Sequence, residues 1–470
     1  MVHSSGRPKN TATMHLFGLV LLLSSQIVSI WGNPIPEVSP QRRDLPLDLS
    51  TIGPTAEGLL HLGKGIAQEA ALLEAGLLGA KDGRIEPVSS LEDAISSLSS
   101  MPNASDHDTI RIATEIVTRG LAPMSILEIV AGITDSRINS EYNENPTDPD
   151  TPTYPKKDID DAPYDLSEDR LRSAIHIPRS FEYGANGKQP VLLVPGTNIP
   201  AGSTYHFNYA KLLASTDFAD PVWVNIPGYS LGDVQVNSEY VAYAMNYIAG
   251  ISNSTIGVIS WSQGGLDVQW ALKYWPSTRD VLEDLMALSA DFHETLFELL
   301  CITPNLLCTP SVKQQGADSN LIQALLADDG DSAYVPTTSV YSGLDQVVEP
   351  QSDPNASGAL KDVRNVGVTN AQIQLVCPGK PAGSIYLHET MLVNPIAYAL
   401  FVDALTHDGP GQLSRIDLDT VCSQLVPPGL DLDDLLGTEA ATAVLAVLDI
   451  LSYGYLGDNT EPPLKNYTRT

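Results

Sequence analysis

The chain has 470 residues, 43% hydrophobic and 18% charged, enough to bury a sizeable core in one large domain with extensions or in more than one. Its formal net charge of −31 argues against nucleic acid and against anionic membrane surfaces as partners, and reads as a solvated acidic surface.

At the N-terminus Arg7, Lys9 and His15 precede the apolar run Leu16 to Leu23, which fades by Trp31. A run that short does not span a bilayer, which takes about 20 apolar residues, but it suits a signal peptide over residues 1–32. The expected destination is secreted and extracellular. No other apolar stretch approaches spanning length, so no stable anchor is expected, only transient contact with a lipid interface. Secretion makes the four cysteines readable as two disulfides with three possible pairings; Cys301 with Cys308 and Cys377 with Cys422 is the natural set. No histidine or cysteine stands at ligand spacing beside them, so neither a metal nor another cofactor is expected. Four N-x-[ST] sequons, at Asn103, Asn253, Asn355 and Asn466, suit a secreted glycoprotein.

Residues 33–135 predict a helical extension or pro-segment. Leu59, Leu62, Ile66, Ala70, Leu73 and Leu77 share one helical face, Ser89-Ser90 before Leu91 marks a capped start, and a third helix begins near Ile126. An acidic, proline-rich linker is expected over 136–163. The dibasic pairs Arg42-Arg43 and Lys156-Lys157 flank this region as candidate processing sites, against the alternative of a small helical appendage with chance basic pairs. From 164 to 470 short apolar strands alternate with helical windows. They fall at Pro190 to Gly196, Val222 to Asn225, Thr255 to Ser260, Leu285 to Ala290, Thr337 to Ser342 and Ala371 to Val376. That alternation predicts an α/β fold with a mostly parallel central sheet covered by helices on both faces.

Within it, "TIGVISWSQGGL" places Ser262 between a β-branched strand and a helix, the context in which a G-x-S-x-G serine is a nucleophile, although Ser260 replaces the first glycine. A nucleophilic serine needs a base and an acid, in the chain order Ser, Asp or Glu, His. Of His293, His388 and His407, only His388 lies on a loop beyond a strand with room for an acid before it, and Asp345 ends the strand at Thr337 to Ser342. Thr197, after "LLVPG", and the backbone of Gln263 are the candidate oxyanion donors.

The series "LLVPGT", "DVQVNSEY", "WSQGGL", "LMALSADF", "TPSVKQQ" and "YVPTTSVYSGLDQVVEP" resembles the fungal lipase family of Candida antarctica lipase B, over about two thirds of the chain. The resemblance implies an α/β-hydrolase fold with Ser262 as nucleophile, His388 as base, Asp345 as its orienting acid, and Thr197 and Gln263 as the oxyanion hole. It also implies Trp261 at the floor of the alcohol pocket, Asp291 and Gln315 on the acyl side, and a Cys377–Cys422 disulfide. The departures are the loss of a family disulfide at Val222 and near Phe181, the extra Cys301–Cys308 pair where the family has a short lid-like helix, and Leu387 and Glu389 flanking the base. The N-terminal helical region has no expected counterpart in the family. The implied activity is hydrolysis of carboxylic esters, most of all triacylglycerols, through an acyl-enzyme. The alternatives are a carboxylesterase or acyltransferase for soluble or secondary-metabolite esters, and a catalytically inactive secreted binding protein. Oligomeric state is not legible.

Overall fold

Apolar runs with no polar face can be stable only as strands covered on both sides, and that requirement shapes the molecule. The computed structural model describes residues 64–101, 109–134, 136–147, 152–295, 309–447 and 460–469. The leader, Arg42-Arg43, Asn103 and the Cys301–Cys308 pair lie outside them. Among the described residues the sheet has seven strands: β1 (Ile175–His176), β2 (Gln189–Val194), β3 (Ala219–Val224), β4 (Ile256–Trp261), β5 (Leu282–Leu288), β6 (Thr337–Tyr341) and β7 (Val368–Gln372). Their order is β1-β3-β2-β4-β5-β6-β7, parallel except where β1 runs against β3. The register aligns Val194 with Ser260, Ser260 with Ala287, and Leu288 with Val340, so β2, β4, β5 and β6 end along one edge. The antiparallel β1 was not expected. The expected strand at Ala371 to Val376 is also corrected: β7 stops at Gln372, the last residue paired with β6, and Ile373–Val376 turns helical. The alternation that suggested a strand continues there, but β6 has ended at Tyr341 and leaves no partner for the ladder.

The N-terminal region forms α1 (Lys64–Lys81), α2 (Leu91–Ser99), α3 (Thr109–Thr118) and α4 (Met124–Thr134). Ser90 caps α2, its hydroxyl accepting from the Asp93 N–H at 3.0 Å. Leu73, Leu98, Ile112, Ile116 and Val130 are buried in the same apolar cluster as Tyr205, Trp261, Leu436 and Val444. Each fully buried aliphatic side chain of this kind contributes roughly 1.5–3 kcal/mol. The 136–163 segment is tied to the body by hydrogen bonds. The Ile138 carbonyl accepts from Trp223 Nε1 and Asn225 Nδ2, each at 2.8 Å, and Asn139 exchanges hydrogen bonds with Ser203. A Cβ on Gly202 would come within 2.4 Å of Asn139 Oδ1, so that close approach requires glycine. Farther along, the buried Asp161 carboxylate accepts from the Ser277 N–H and hydroxyl, and Lys157 donates to Asn246 Oδ1.

The sheet's faces are covered by α5 (Val234–Ser252) and α6 (Gln263–Tyr274) on one side and by α7 (Pro395–Thr406) on the other, and α8 (Leu432–Glu439) joins the apolar cluster on the α7 side while packing on α4. A single π-helical turn, Ala440–Leu445, continues α8 and packs on α3. Cys377 and Cys422 are disulfide-bonded, with Cα atoms 5.4 Å apart. Val222 and Phe181 are both buried in the apolar cluster that holds α5 and α6. Asn253, Asn355 and Asn466 are exposed. Among the described residues no helix is long and apolar enough to cross a membrane.

Several carboxyls are buried. Burial pushes Asp284 and Asp291 up to about 8, and holds Asp267 and Glu439 well above the usual carboxylate range. A carboxyl whose pKa is raised on folding adds stability that is fully present below its unfolded value of about 4 and is lost as pH rises through the folded value. The thermal midpoint is therefore expected to fall steadily from pH 5 to pH 9, and the net negative charge works in the same direction. Scanning calorimetry across that interval checks it; a midpoint that climbs with pH contradicts the assignment.

Candidate active site

Ser262 follows directly on β4 and precedes the first residue of α6, with φ 57° and ψ −132°. A side-chain-bearing residue at positive φ is strained, and strand, sharp turn and helix hold it there. Its N–H donates to Leu288 O at 2.9 Å, tying the turn to β5, and its carbonyl accepts from the Gly265 N–H at 2.9 Å. The two glycines that follow let α6 pass close to the sheet. A Cβ at Gly264 would lie 2.6 Å from Pro195 O, and one at Gly265 would lie 2.5 Å from the Ala290 Cβ. Ser260, the departure from the motif, is fully buried on β4, where a small side chain fits.

Asp345 lies four residues beyond β6, and His388 lies on the loop after β7 and its helical turn. Both Asp345 oxygens contact His388 Nδ1, at 2.8 and 3.0 Å. The carboxylate is itself pinned by the Val347 and Val348 N–H groups, each donating to Oδ1 at 2.9 Å. His388 is held at its backbone as well. Its N–H donates to Gln346 Oε1 at 2.9 Å, and its carbonyl accepts from Trp261 Nε1 at 3.1 Å. Burial alone would lower the His388 pKa, but the Asp345 carboxylate, with Glu389 and Asp291 behind it, outweighs that and raises it above the ordinary histidine value.

Thr197 stands three residues past β2, and its hydroxyl donates to Gln263 Oε1 at 2.6 Å. Gln315 Nε2 donates to the same oxygen at 3.0 Å, while Gln263 Nε2 is held by Ser230 O at 3.0 Å. These side-chain bonds fix Gln263 at the N-terminus of α6, where backbone N–H groups have no helical acceptor. Thr197, Trp261, Ser262, Gln315 and His388 line one partly enclosed cleft. Asp345 is buried behind His388, and Asp291, fully buried three residues past β5, is not on the cleft wall. Phe292 is buried in the core, while Thr295 reaches the cleft. Sequence reasoning missed Gln346, whose signal was only its place beside Asp345. It also missed the walls made by Ile112, Val347, Ala443 and Val447, which come from segments far apart in the chain. Glu389 was seen as a neighbour of the base but not as part of the wall.

No family model matches the chain. Lipase B of Pseudozyma antarctica is 33% identical over 291 residues, 60% of this chain and 79% of that protein. The chain belongs to the lipase B family. The crystal structure of Aspergillus fumigatus lipase B has a TM-score of 0.80 and 48% identity to it, covering 87% of this chain and 96% of that one. That share is larger than the stretch from 164 to 470, so it takes in much of the helical N-terminal region too. The expectation that this region lacks a counterpart is corrected: the Pseudozyma relative matches only 60% of the chain, but the share covered by the Aspergillus structure reaches into the first 163 residues. The fold is that of the α/β-hydrolases, and the chain is a carboxylic ester hydrolase.

The glycine-dependent approach of α6 to the sheet is testable on its own. Gly265→Val is expected to lower the unfolding free energy by about 1–3 kcal/mol through overpacking against Ala290. Urea denaturation checks it; an unchanged midpoint means the neighbouring backbone yields freely.

Proposed function

We propose that the chain is a secreted serine hydrolase of the lipase type, acting on carboxylic esters through Ser262, His388 and Asp345. The observation that carries this reading is His388, doubly contacted by Asp345 behind it, sharing a cleft with a serine held at positive φ. In this mechanism His388 Nε2 takes the Ser262 proton as Oγ attacks the ester carbonyl. Asp345 keeps Nδ1 protonated and stabilises the imidazolium that forms. The oxyanion is received by Thr197 and the Gln263 N–H, the Thr197 hydroxyl turning from its ground-state bond to Gln263 Oε1. Collapse breaks the ester C–O bond, His388 protonates the departing alcohol, and water repeats the sequence to release the acid from Ser262.

Trp261 and Gln315 are the pocket residues in this reading, and Asp291, off the cleft wall, favours the charged form of His388 only when it is itself ionised. The lipid or ester substrate needs no cofactor. Export through a leader over residues 1–32 agrees with the exposed sequons at Asn253, Asn355 and Asn466 and with the Cys377–Cys422 disulfide.

Ser262→Ala is expected to lower kcat on a short-chain p-nitrophenyl ester by about 10⁶-fold, and Asp345→Asn by on the order of 10⁴-fold. Activity that survives Ser262→Ala ends the proposal. Hydrolysis of emulsified long-chain triglyceride beside the p-nitrophenyl ester separates lipase from esterase. The base must be neutral to accept a proton, so the acid limb of kcat/KM is expected above the ordinary histidine value of about 6.5. A limb well below that value shows that Asp345 does not raise His388 in the working enzyme.

A further inference from the structure

The wall beside the base carries a polar group that acyl transfer does not use. Glu389 is 6% exposed and lines the cleft with Trp261, His388, Thr442 and Ala443. A single side chain fixes it: Gln346 accepts from the His388 N–H through Oε1 and donates to Glu389 Oε2 at 2.7 Å through Nε2. The clamp that holds the base therefore also aims the carboxyl.

Its surroundings push that carboxyl above the usual carboxylate range. Its hydrogen bond comes from a neutral amide, and it interacts electrostatically with Glu439, buried at the end of α8 with neither carboxyl oxygen hydrogen-bonded among the described residues. Burial pushes Glu389 up, against the opposing pulls of His388 and Gln346, and burial with Glu389 itself pushes Glu439 up. A carboxyl group accepts a hydrogen bond, and donates one when protonated. Ile112, Val347, Ala443, Ala446 and Val447 make much of the same cleft wall apolar, so a substrate hydroxyl entering beside them has Glu389 as a hydrogen-bonding partner.

Its position fixes which part of the substrate meets it. Thr197, Gln263 and Gln315 form one hydrogen-bonded group on the oxyanion side. His388 hands its proton to the leaving oxygen, so the wall joined to His388 receives the alcohol portion. We propose that Glu389 is a specificity-determining residue that hydrogen-bonds a free hydroxyl on the alcohol portion of the ester. The preferred substrates are then esters of polyols, such as partial glycerides, over esters of simple alkanols. This rests on the ester-hydrolase mechanism proposed above.

The test compares kcat/KM for a glycerol monoester, a propyl ester and a choline ester of the same fatty acid, using the full-length protein, Glu389→Gln and Glu389→Leu. The wild type is expected to favour the glycerol monoester over the propyl ester by about tenfold, the discrimination one hydrogen bond supplies. Glu389→Gln, which still donates and accepts, keeps the preference, and Glu389→Leu brings the ratio to about one. A wild-type ratio near one overturns the proposal whether or not either variant folds. A folded Glu389→Leu that retains the preference overturns it as well. A choline ester preferred over both, with that preference lost in Glu389→Gln, overturns it by showing that the carboxylate reads charge. A wild type inert toward all three and toward an activated p-nitrophenyl ester brings down the hydrolase mechanism and this inference together; inertness is thus distinct from a hydrolase without the preference.

Discussion

The positive-φ backbone at Ser262 is the constraint on which the rest of the site depends. It exists because β4 must end, reverse and enter α6 within one residue, and it persists because Leu288 and Gly265 hold both of its peptide groups. Everything else in the cleft is placed relative to that point. The parallel register brings the ends of β2, β5 and β6 to the same edge, and Thr197, Asp291 and Asp345 follow within a few residues of those ends. Open α/β sheets put their functional groups at the carboxyl ends of strands for this reason, since loops there converge on one crevice.

His388 shows the opposite economy. Its loop has no strand end immediately before it, so neighbouring side chains position it instead. Asp345 fixes the ring, Gln346 the N–H and Trp261 the carbonyl. Two of those three anchors come from adjacent residues on the loop after β6, and the third comes from the residue before Ser262. The base is thus located by the same two segments that carry the acid and the serine. A shift of either segment moves the three groups together.

Much of this was legible in the sequence where chemistry is local. The β-branched run before Ser262, the paired glycines after it and the Tyr-Ser-Gly-Leu-Asp end of β6 each encode their own conformation. The misses are non-local. At Ala371 to Val376 the alternation is real, but a strand lasts only as long as its neighbour, and β6 ends first. The helix α3 gave no signal recognised as helical, because "TIRIATEIVT" is rich in β-branched residues that also suit a strand. Its burial of Ile110, Ile112, Ala113, Ile116 and Val117 reveals the helical face only once the helix has docked. No local pattern announces that Ile112 ends at a cleft whose serine lies 150 positions later, because that depends on how α3 meets the π-helical turn. Likewise, the composition of 136–163 is that of a free spacer, and only the acceptors at Ile138, Asn139 and Asp161 show that it is fastened down.

The packing of α3 on the turn at Ala440–Leu445 joins segments separated by more than 300 residues. During synthesis the apolar faces of α1 to α4 emerge long before the residues that cover them. Contacts of such high sequence separation form late and slowly, because the intervening loop must close first. Until then those faces are exposed surface of the kind that chaperones bind and that aggregates. One side of the cleft is thus made more than 300 residues before the segment that buries it. A waiting helix must therefore be kept from aggregating in the folding compartment until the segment that covers it arrives.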